Sequence, residues 1–228
     1  MDTPTQDTLV LVFGGSFDPP TLAHVELPDA ARRSLRALEV WYVPAGLQPH
    51  KLDRPAAPAH HRLAMLRLAL DGLPWARVLE DELDRARLAP EAPTYTIDTL
   101  RALRARTPPH VRLRLLMGAD QLPAFPRWRD PAGVVALAEP VVLLRPPATR
   151  ESILASLPQG LEAGEWAPRL IEGPSLAISS TQARQRALSG RTLTGFVAPA
   201  VERYIQTHGL YRGPGPGSPT SMPQDREL

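Results

Sequence analysis

The residues best suited to chemistry sit between Thr8 and Val25, where the chain reads TLVLVFGGSFDPPTLAHV. An unbroken apolar run, Leu9 to Phe13, ends in Gly14 and Gly15, then Ser16, Phe17 and the turn-forming Asp18-Pro19-Pro20. Glycines at the end of a strand free the backbone to turn and let another molecule come close. Thr21 then stands where a helix N-cap belongs, with His24 about one turn into that helix. A strand, a glycine turn and a helix start gather free N–H groups and the positive end of a helix dipole at one place. The imidazole of His24 reaches the same place. The chemistry implied is anion binding, a phosphate above all. Neither familiar phosphate loop is present: no lysine completes a Walker pattern, and G-x-G-x-x-G is absent.

A second constellation lies far along the chain in ISSTQARQR. Ile178 leads into Ser179, Ser180 and Thr181, at the start of the next helix, and Gly190 follows its last turn as a C-cap. Ser180 and Arg184 are four residues apart and share a helical face, so hydroxyls, helix start and guanidinium converge on one anion. Gly118-Ala119-Asp120 directly follows an apolar strand and suits close backbone approach and a ribose hydrogen bond. Gln48-Pro49-His50-Lys51 lies in a proline-rich loop, Pro44 to Pro58, of a length usual for functional or disordered loops, and its cationic pair near a strand's C-terminal end favours function. Lys51 is the one lysine among 26 lysines and arginines. His60 and His61 are adjacent, do not share a helix face, and read as surface residues rather than metal ligands. Asp18 reads as a turn-maker.

These motifs need a scaffold that brings them to one edge. Strand patterns at Leu9–Phe13, Glu39–Val43, Arg77–Leu79, Val111–Met117 and Pro140–Leu144 alternate with helix patterns. The first helix is expected to run to Ala37, with Pro28 kinking it or ending its first segment. Ala59–Leu70 reads as an amphipathic helix with Leu63, Leu66 and Leu70 on one face. Glu80–Pro93 reads as acidic, then irregular, with Thr94 or Thr96 capping the helix of Ile97, Leu100 and Leu103. LPAFPRWRDP, with Phe125 and Trp128, reads as a loop. Short extended pieces are expected at Leu170–Ile171 and Ala177–Ile178, and a terminal helix at Pro199–Thr207. The alternation predicts an α/β fold, a Rossmann-like, doubly wound parallel sheet with helices on both faces. Ligands of such sheets bind beyond the carboxyl ends of the strands, where strand order switches.

The 228 residues suit one α/β domain over 1–212, with a glycine- and proline-rich tail, 213–228, expected to be disordered. Hydrophobic content of 43% and charged content of 22% are ordinary for a globular chain. With no cysteine there is no disulfide scaffold, cysteine nucleophile or thiolate zinc site. A net charge of +2 argues against a nucleic-acid surface, and neither a membrane span nor a signal layout is visible, so a cytoplasmic protein is expected.

GGSFDP followed by Thr21 and His24 resembles the nucleotidyltransferase superfamily signature, G-G-[ST]-F-D-P then [HT]-x-G-H. Residues 8 to about 211 are similar to bacterial nicotinate-nucleotide adenylyltransferases in VPAGLQPHK, TYTIDTL, GADQL with a downstream tryptophan, VVLLRP, ISSTQAR and VERYIQTHGLY. Ala23 departs from the family glycine and adds a methyl group beside the site. The resemblance implies adenylyl transfer from ATP to nicotinate mononucleotide, with Mg²⁺ held mainly by the ATP phosphates and no dedicated metal ligands. It implies that His24, Thr21 and Arg184 are catalytic. ATP contacts would come from Gly14, Gly15, Ser16, Phe17, His24, Lys51, Gly118, Asp120, Ile178, Ser179, Ser180, Thr181 and Arg184. The mononucleotide would meet Ser16, His50, Lys51, Thr94, Tyr95, Thr96 and Trp128, with the tryptophan on the pyridine ring and backbone N–H groups on its carboxylate. A homo-oligomer is compatible with this reading. The alternatives are adenylyltransferases acting on nicotinamide mononucleotide or another small molecule, and a nucleotide-binding regulator without catalysis.

Overall fold

A computed structural model describes residues 8–46 and 57–212. His50, Lys51 and the expected tail 213–228 lie outside the described residues. The elements run β1 (Thr8–Gly15), α1 (Ala23–Leu35), β2 (Glu39–Pro44), α2 (Ala59–Leu70), β3 (Ala76–Val78), α3 (Asp81–Leu88), α4 (Thr96–Arg106) and β4 (Val111–Gly118). A 3-10 stretch (Ala119–Arg127) follows, then α5 (Pro131–Leu137), β5 (Glu139–Leu144), α6 (Arg150–Ala155), α7 (Ala163–Trp166), β6 (Leu170–Glu172), α8 (Ser180–Leu188) and α9 (Pro199–Thr207).

All six strands pair in parallel in the order β3-β2-β1-β4-β5-β6. The order reverses between β1 and β4, the switch point of a doubly wound Rossmann-like sheet. Side chains alternate across β1, so its apolar run serves both faces. Val10 and Val12 join Ile97, Leu100 and Leu103 of α4 on one side. Leu9 and Leu11 join Leu27 and Ala31 of α1 and Leu66 and Leu70 of α2 on the other. A third cluster, with Met65, Ala183, Val201 and Ile205, packs α2, α8 and α9 together.

Several elements differ from the sequence reading. α1 is continuous through Pro28, which is buried, and ends at Leu35 with Arg36 in the left-handed region. Burial of the proline against the core outweighs the single intrahelical bond that it removes. The acidic segment forms α3, which has one buried apolar residue, Leu83, and therefore no readable stripe. Side chains hold it instead: Arg106 pairs with Asp81 through two bonds of 2.6 and 2.8 Å. The LPAFPRW loop is largely 3-10 helix, with Leu122 and Phe125 buried. Of the two short extended pieces, Leu170–Ile171 falls in β6, while Ala177–Ile178 belongs to no regular element.

Candidate active site

Gly14 and Gly15 do not make the turn after β1. Both remain in the strand, paired with Val43 and Pro44. A Cβ on Gly14 would meet only the Val43 carbonyl at 4.0 Å, whereas one on Gly15 would press on the Phe17 ring at 3.0 Å. The chain turns at Phe17, at φ 48°. That conformation is costly for a bulky residue. The Phe17 ring is buried and packs on Phe13 at 5.7 Å and Tyr42 at 6.0 Å, which holds it there. Ser16, next to it, gives its carbonyl to Arg62 at 2.8 Å.

Nor does Thr21 cap α1. Leu22 is at the cap, without a side-chain bond. Thr21 is 1% exposed. Its hydroxyl lies 2.7 Å from His24 Nδ1, and its backbone N–H donates to the same nitrogen at 3.0 Å. An N–H can only donate, so Nδ1 accepts and the ring proton of neutral His24 is assigned to Nε2. Phe17 packs edge-on against the imidazole at 5.4 Å, with Phe13 at 6.3 Å.

The second constellation docks on this turn. Ser179 caps α8 in a capping box with Gln182. Ser180 donates to the Pro19 carbonyl at 2.9 Å, and Arg184 donates to the Asp18 carbonyl at 2.6 Å and to Thr181 Oγ1 at 3.2 Å. Ser180 and Arg184 thus share a face, and that face meets the first motif across more than 160 residues of chain. Ile178 packs against the α1-side core just before this helix.

Gly118 ends β4, the strand beside β1 at the switch point. The Asp120 carboxylate folds back over it where a Cβ would collide. Asp120 is exposed, with Arg145 at 3.7 Å. Thr94 and Thr96 do not cap α4; Tyr95 holds the cap position in an extended conformation. Thr94 instead donates to Glu82 at 2.9 Å, and Glu82 also accepts from Thr99 at 2.9 Å and from the Gly46 N–H at 3.4 Å. Trp128 packs on Phe125 at 5.3 Å, and its neighbour Arg129 lies over the Tyr95 ring at 4.8 Å. Thr94, Tyr95 and Trp128 thus lie in one region beside the exit of β2. Two surface clefts elsewhere, one lined by Arg67, Asp71 and Val78 and one by Gly190, Arg191 and Arg212, contain none of the expected site residues.

Residues 12–186 match the family described as Cytidylyltransferase-like. The chain belongs to the cytidylyltransferase-like family. It is 40% identical over 201 residues to a protein of Roseiflexus sp. (strain RS-1), covering 88% of this chain and 96% of that one. It is 36% identical over 215 residues to one of Thermomicrobium roseum, covering 93% and 96%. Both carry the name "Probable nicotinate-nucleotide adenylyltransferase". In fold it resembles the Plasmodium falciparum nicotinic acid mononucleotide adenylyltransferase complexed with NaAD, at TM-score 0.69 and 22% identity, over 90% of this chain and 97% of that one.

In this cytidylyltransferase-like chain Ala23 is 4% exposed and belongs to the same buried cluster as Phe17 of the turn and Leu27 and Ala31 of α1. Two residues that hold these motifs together, Arg62 and Glu82, have no role in the sequence reading, and a third, Asp18, has more than the turn-making one. Arg62 is buried and donates to the carbonyls of Ser16 and Ala45 at 2.8 Å and of Ala57 at 3.2 Å. Burial pushes its pKa below the ordinary arginine range, against the opposing charge of Asp18. Its spacing from Met65 and Leu66 was the available signal, since these share its helical face. Glu82 lacked any periodic context. Asp18, read as a turn-maker, is a buried junction that accepts from Tyr211 Oη at 2.5 Å and from the Ala57 N–H at 3.2 Å.

Proposed function

We propose that this chain transfers the adenylyl group of ATP to nicotinate mononucleotide, giving nicotinate adenine dinucleotide and pyrophosphate in NAD biosynthesis. The observation that carries the reading is the bonding of the GGSFDPP turn to α8 at the switch point of the sheet, in a chain whose curated relatives bear that name. A 5′-phosphate oxygen of the mononucleotide attacks the α-phosphorus of ATP in line. The bond from that phosphorus to the α,β-bridging oxygen breaks, and its electron pair leaves with pyrophosphate. The nucleophile is already an anion, so no general base is needed, and positioning and charge stabilisation remain.

His24 supplies Nε2–H to the oxygens where charge builds, with Thr21 fixing the ring. Gly14, Gly15, Ser16 and Phe17 border the phosphates. Ser180 and Thr181, in the first turn of α8, offer backbone N–H groups that have no intrahelical partner, and Arg184 brings its guanidinium to the β- and γ-phosphates. Gly118 and Asp120 face the ribose. Lys51 and His50 complete the phosphate contacts in this reading. Among the described residues no cluster of three or more acidic or histidine side chains could hold a metal ion. The Asp18 carboxylate is engaged by Tyr211 and Ala57. In this reading Mg²⁺ would be carried mainly by phosphate oxygens and water, and would offset the charge of the leaving pyrophosphate. No helix among the described residues is long and apolar enough to cross a membrane. A cytoplasmic location accompanies the proposal.

At the pyridine end, the first-turn N–H groups of α4 near Tyr95 and Thr96 face the carboxylate, and Trp128 stacks on the ring. A carboxylate only accepts hydrogen bonds, while an amide also brings donors and would meet these N–H groups donor to donor. Each mismatch costs about 1–3 kcal/mol. kcat/KM for nicotinate mononucleotide is therefore expected to be at least ~100-fold above that for nicotinamide mononucleotide. Trp128→Ala weakens both substrates by similar factors and preserves the ratio. Steady-state kinetics on both proteins test this. Equal use of the two substrates by wild type, or no dinucleotide from either, overturns the assignment. A ratio that collapses in Trp128→Ala overturns the division of labour.

A further inference from the structure

The closing stretch VERYIQTHGLY has no part in the chemistry above, yet it ends inside the phosphate turn. After α9 the chain reverses through Gly209 and Tyr211, at φ 61° and 60°. The left-handed region is sparsely populated for a tyrosine, so its surroundings must hold it there. Its hydroxyl donates to Asp18 Oδ1 at 2.5 Å across 193 residues of chain. Asp18 is 6% exposed. The Ala57 N–H reaches the same oxygen at 3.2 Å, while Oδ2 stands 3.9 Å from Arg184 Nη1. That nitrogen donates instead to the Asp18 backbone carbonyl at 2.6 Å.

A buried carboxylate needs donors, and losing one drives it towards the next. Two cations face Asp18: Arg62 has all three of its nitrogens on the carbonyls of Ser16, Ala45 and Ala57, so the next partner is Arg184. Without the phenolic donor, Asp18 would draw the guanidinium into a full ion pair and away from its ligand. We propose that Tyr211 is a positioning residue for ATP: its hydroxyl satisfies Asp18 and so leaves Arg184 available to the β- and γ-phosphates. The inference rests on the adenylyl-transfer reading, which gives Arg184 that task. Burial, followed by the bond to Asp18, raises the Tyr211 pKa above the ordinary tyrosine range, so the phenol remains a donor.

The test uses the full chain with Tyr211→Phe, Tyr204→Phe, Asp18→Asn and the Asp18→Asn/Tyr211→Phe pair. Calorimetry measures the affinity for an ATP analogue with carbon in place of the α,β-bridging oxygen, and turnover is measured alongside. Tyr211→Phe removes one oxygen atom and should keep the wild-type circular dichroism. It is expected to raise the analogue Kd and the KM for ATP about tenfold, the effect of a hydrogen bond to a charged group, while the KM for the mononucleotide stays unchanged. Tyr204→Phe removes a hydroxyl that lies 2.9 Å from His61 Nδ1, away from Asp18, and should change neither constant. In the Asp18→Asn background the competing charge is gone, and Tyr211→Phe should shift the Kd less than about twofold. Wild-type affinity in Tyr211→Phe overturns the proposal. So does equal weakening by Tyr204→Phe, or a full-sized effect that persists with Asp18→Asn. If wild type binds the analogue but makes no dinucleotide, the adenylyl-transfer reading falls, and the affinities still decide the role of Tyr211.

Discussion

His24 is defined by what surrounds it. Two donors from Thr21 meet its Nδ1, and two phenylalanine rings flank it. This is a preorganised single donor, Nε2–H, and losing such a donor typically costs about 10²–10³ in kcat. His24→Ala is therefore expected to fold normally and lose activity on that scale. Thr21→Val keeps the backbone donor and loses the hydroxyl, so its loss should be smaller, about tenfold. Circular dichroism with turnover checks the pair, and ¹⁵N spectra of the imidazole report the tautomer. Wild-type turnover in His24→Ala would refute the assignment. A proton found on Nδ1 would refute the role of Thr21.

At the scale of elements, the seam between α2 and α9 carries a titratable cluster. The His61 ring lies 4.1 Å from His60 and 5.2 Å from His208, centroid to centroid, and its Nδ1 is 2.9 Å from Tyr204 Oη. Tyr204 stacks on His208 at 4.0 Å. Burial first, then the charges of His60 and His208, lower the His61 pKa below the ordinary histidine range. The folded chain thus binds this proton less readily than the unfolded chain does. Stability is fully present above about pH 6.5, the unfolded value, and falls as the pH drops below it towards the folded value. The melting temperature should decline between pH 7 and 5, and His61→Gln should flatten that slope. An unchanged slope in the variant would show that the seam does not sense protons. In the sequence His60 and His61 read as surface residues with no partner from α9, because the approach of α9 to α2 is a tertiary event.

For the whole molecule, the C-terminal end of the described chain is part of the working structure. Tyr211 bonds Asp18, and Val201 and Ile205 are buried against α2 and α8. A chain ending at Arg212 is expected to keep its melting temperature and kcat. One ending at Leu210 loses the half-buried Tyr211 and its bond to Asp18 and should melt several degrees lower, since about 1 kcal/mol shifts a chain of this size by ~2–4 °C. Scanning calorimetry and turnover on both truncations decide it. Equal behaviour of the two would mean that Tyr211 contributes nothing, and a loss in the longer one would mean that residues after 212 matter.

The sequence by itself determined the doubly wound sheet, because the alternation of apolar runs and helical stripes is written along the chain at short range. It also marked the GGSFDPP turn, the ISSTQAR helix start and the family, since each is a contiguous string. Tertiary structure alone decided what those strings do to one another. It moved the turn from the glycines to Phe17, because a buried aromatic cluster compensates a positive φ. It redirected Thr21 from a helix cap to the imidazole, and Ser180 and Arg184 onto the carbonyls of the turn. It made Asp18 the junction of segments 39, 166 and 193 residues away. Hydrogen bonds between distant segments leave no periodic trace, and a buried polar group takes its partners only after the chain has closed around it.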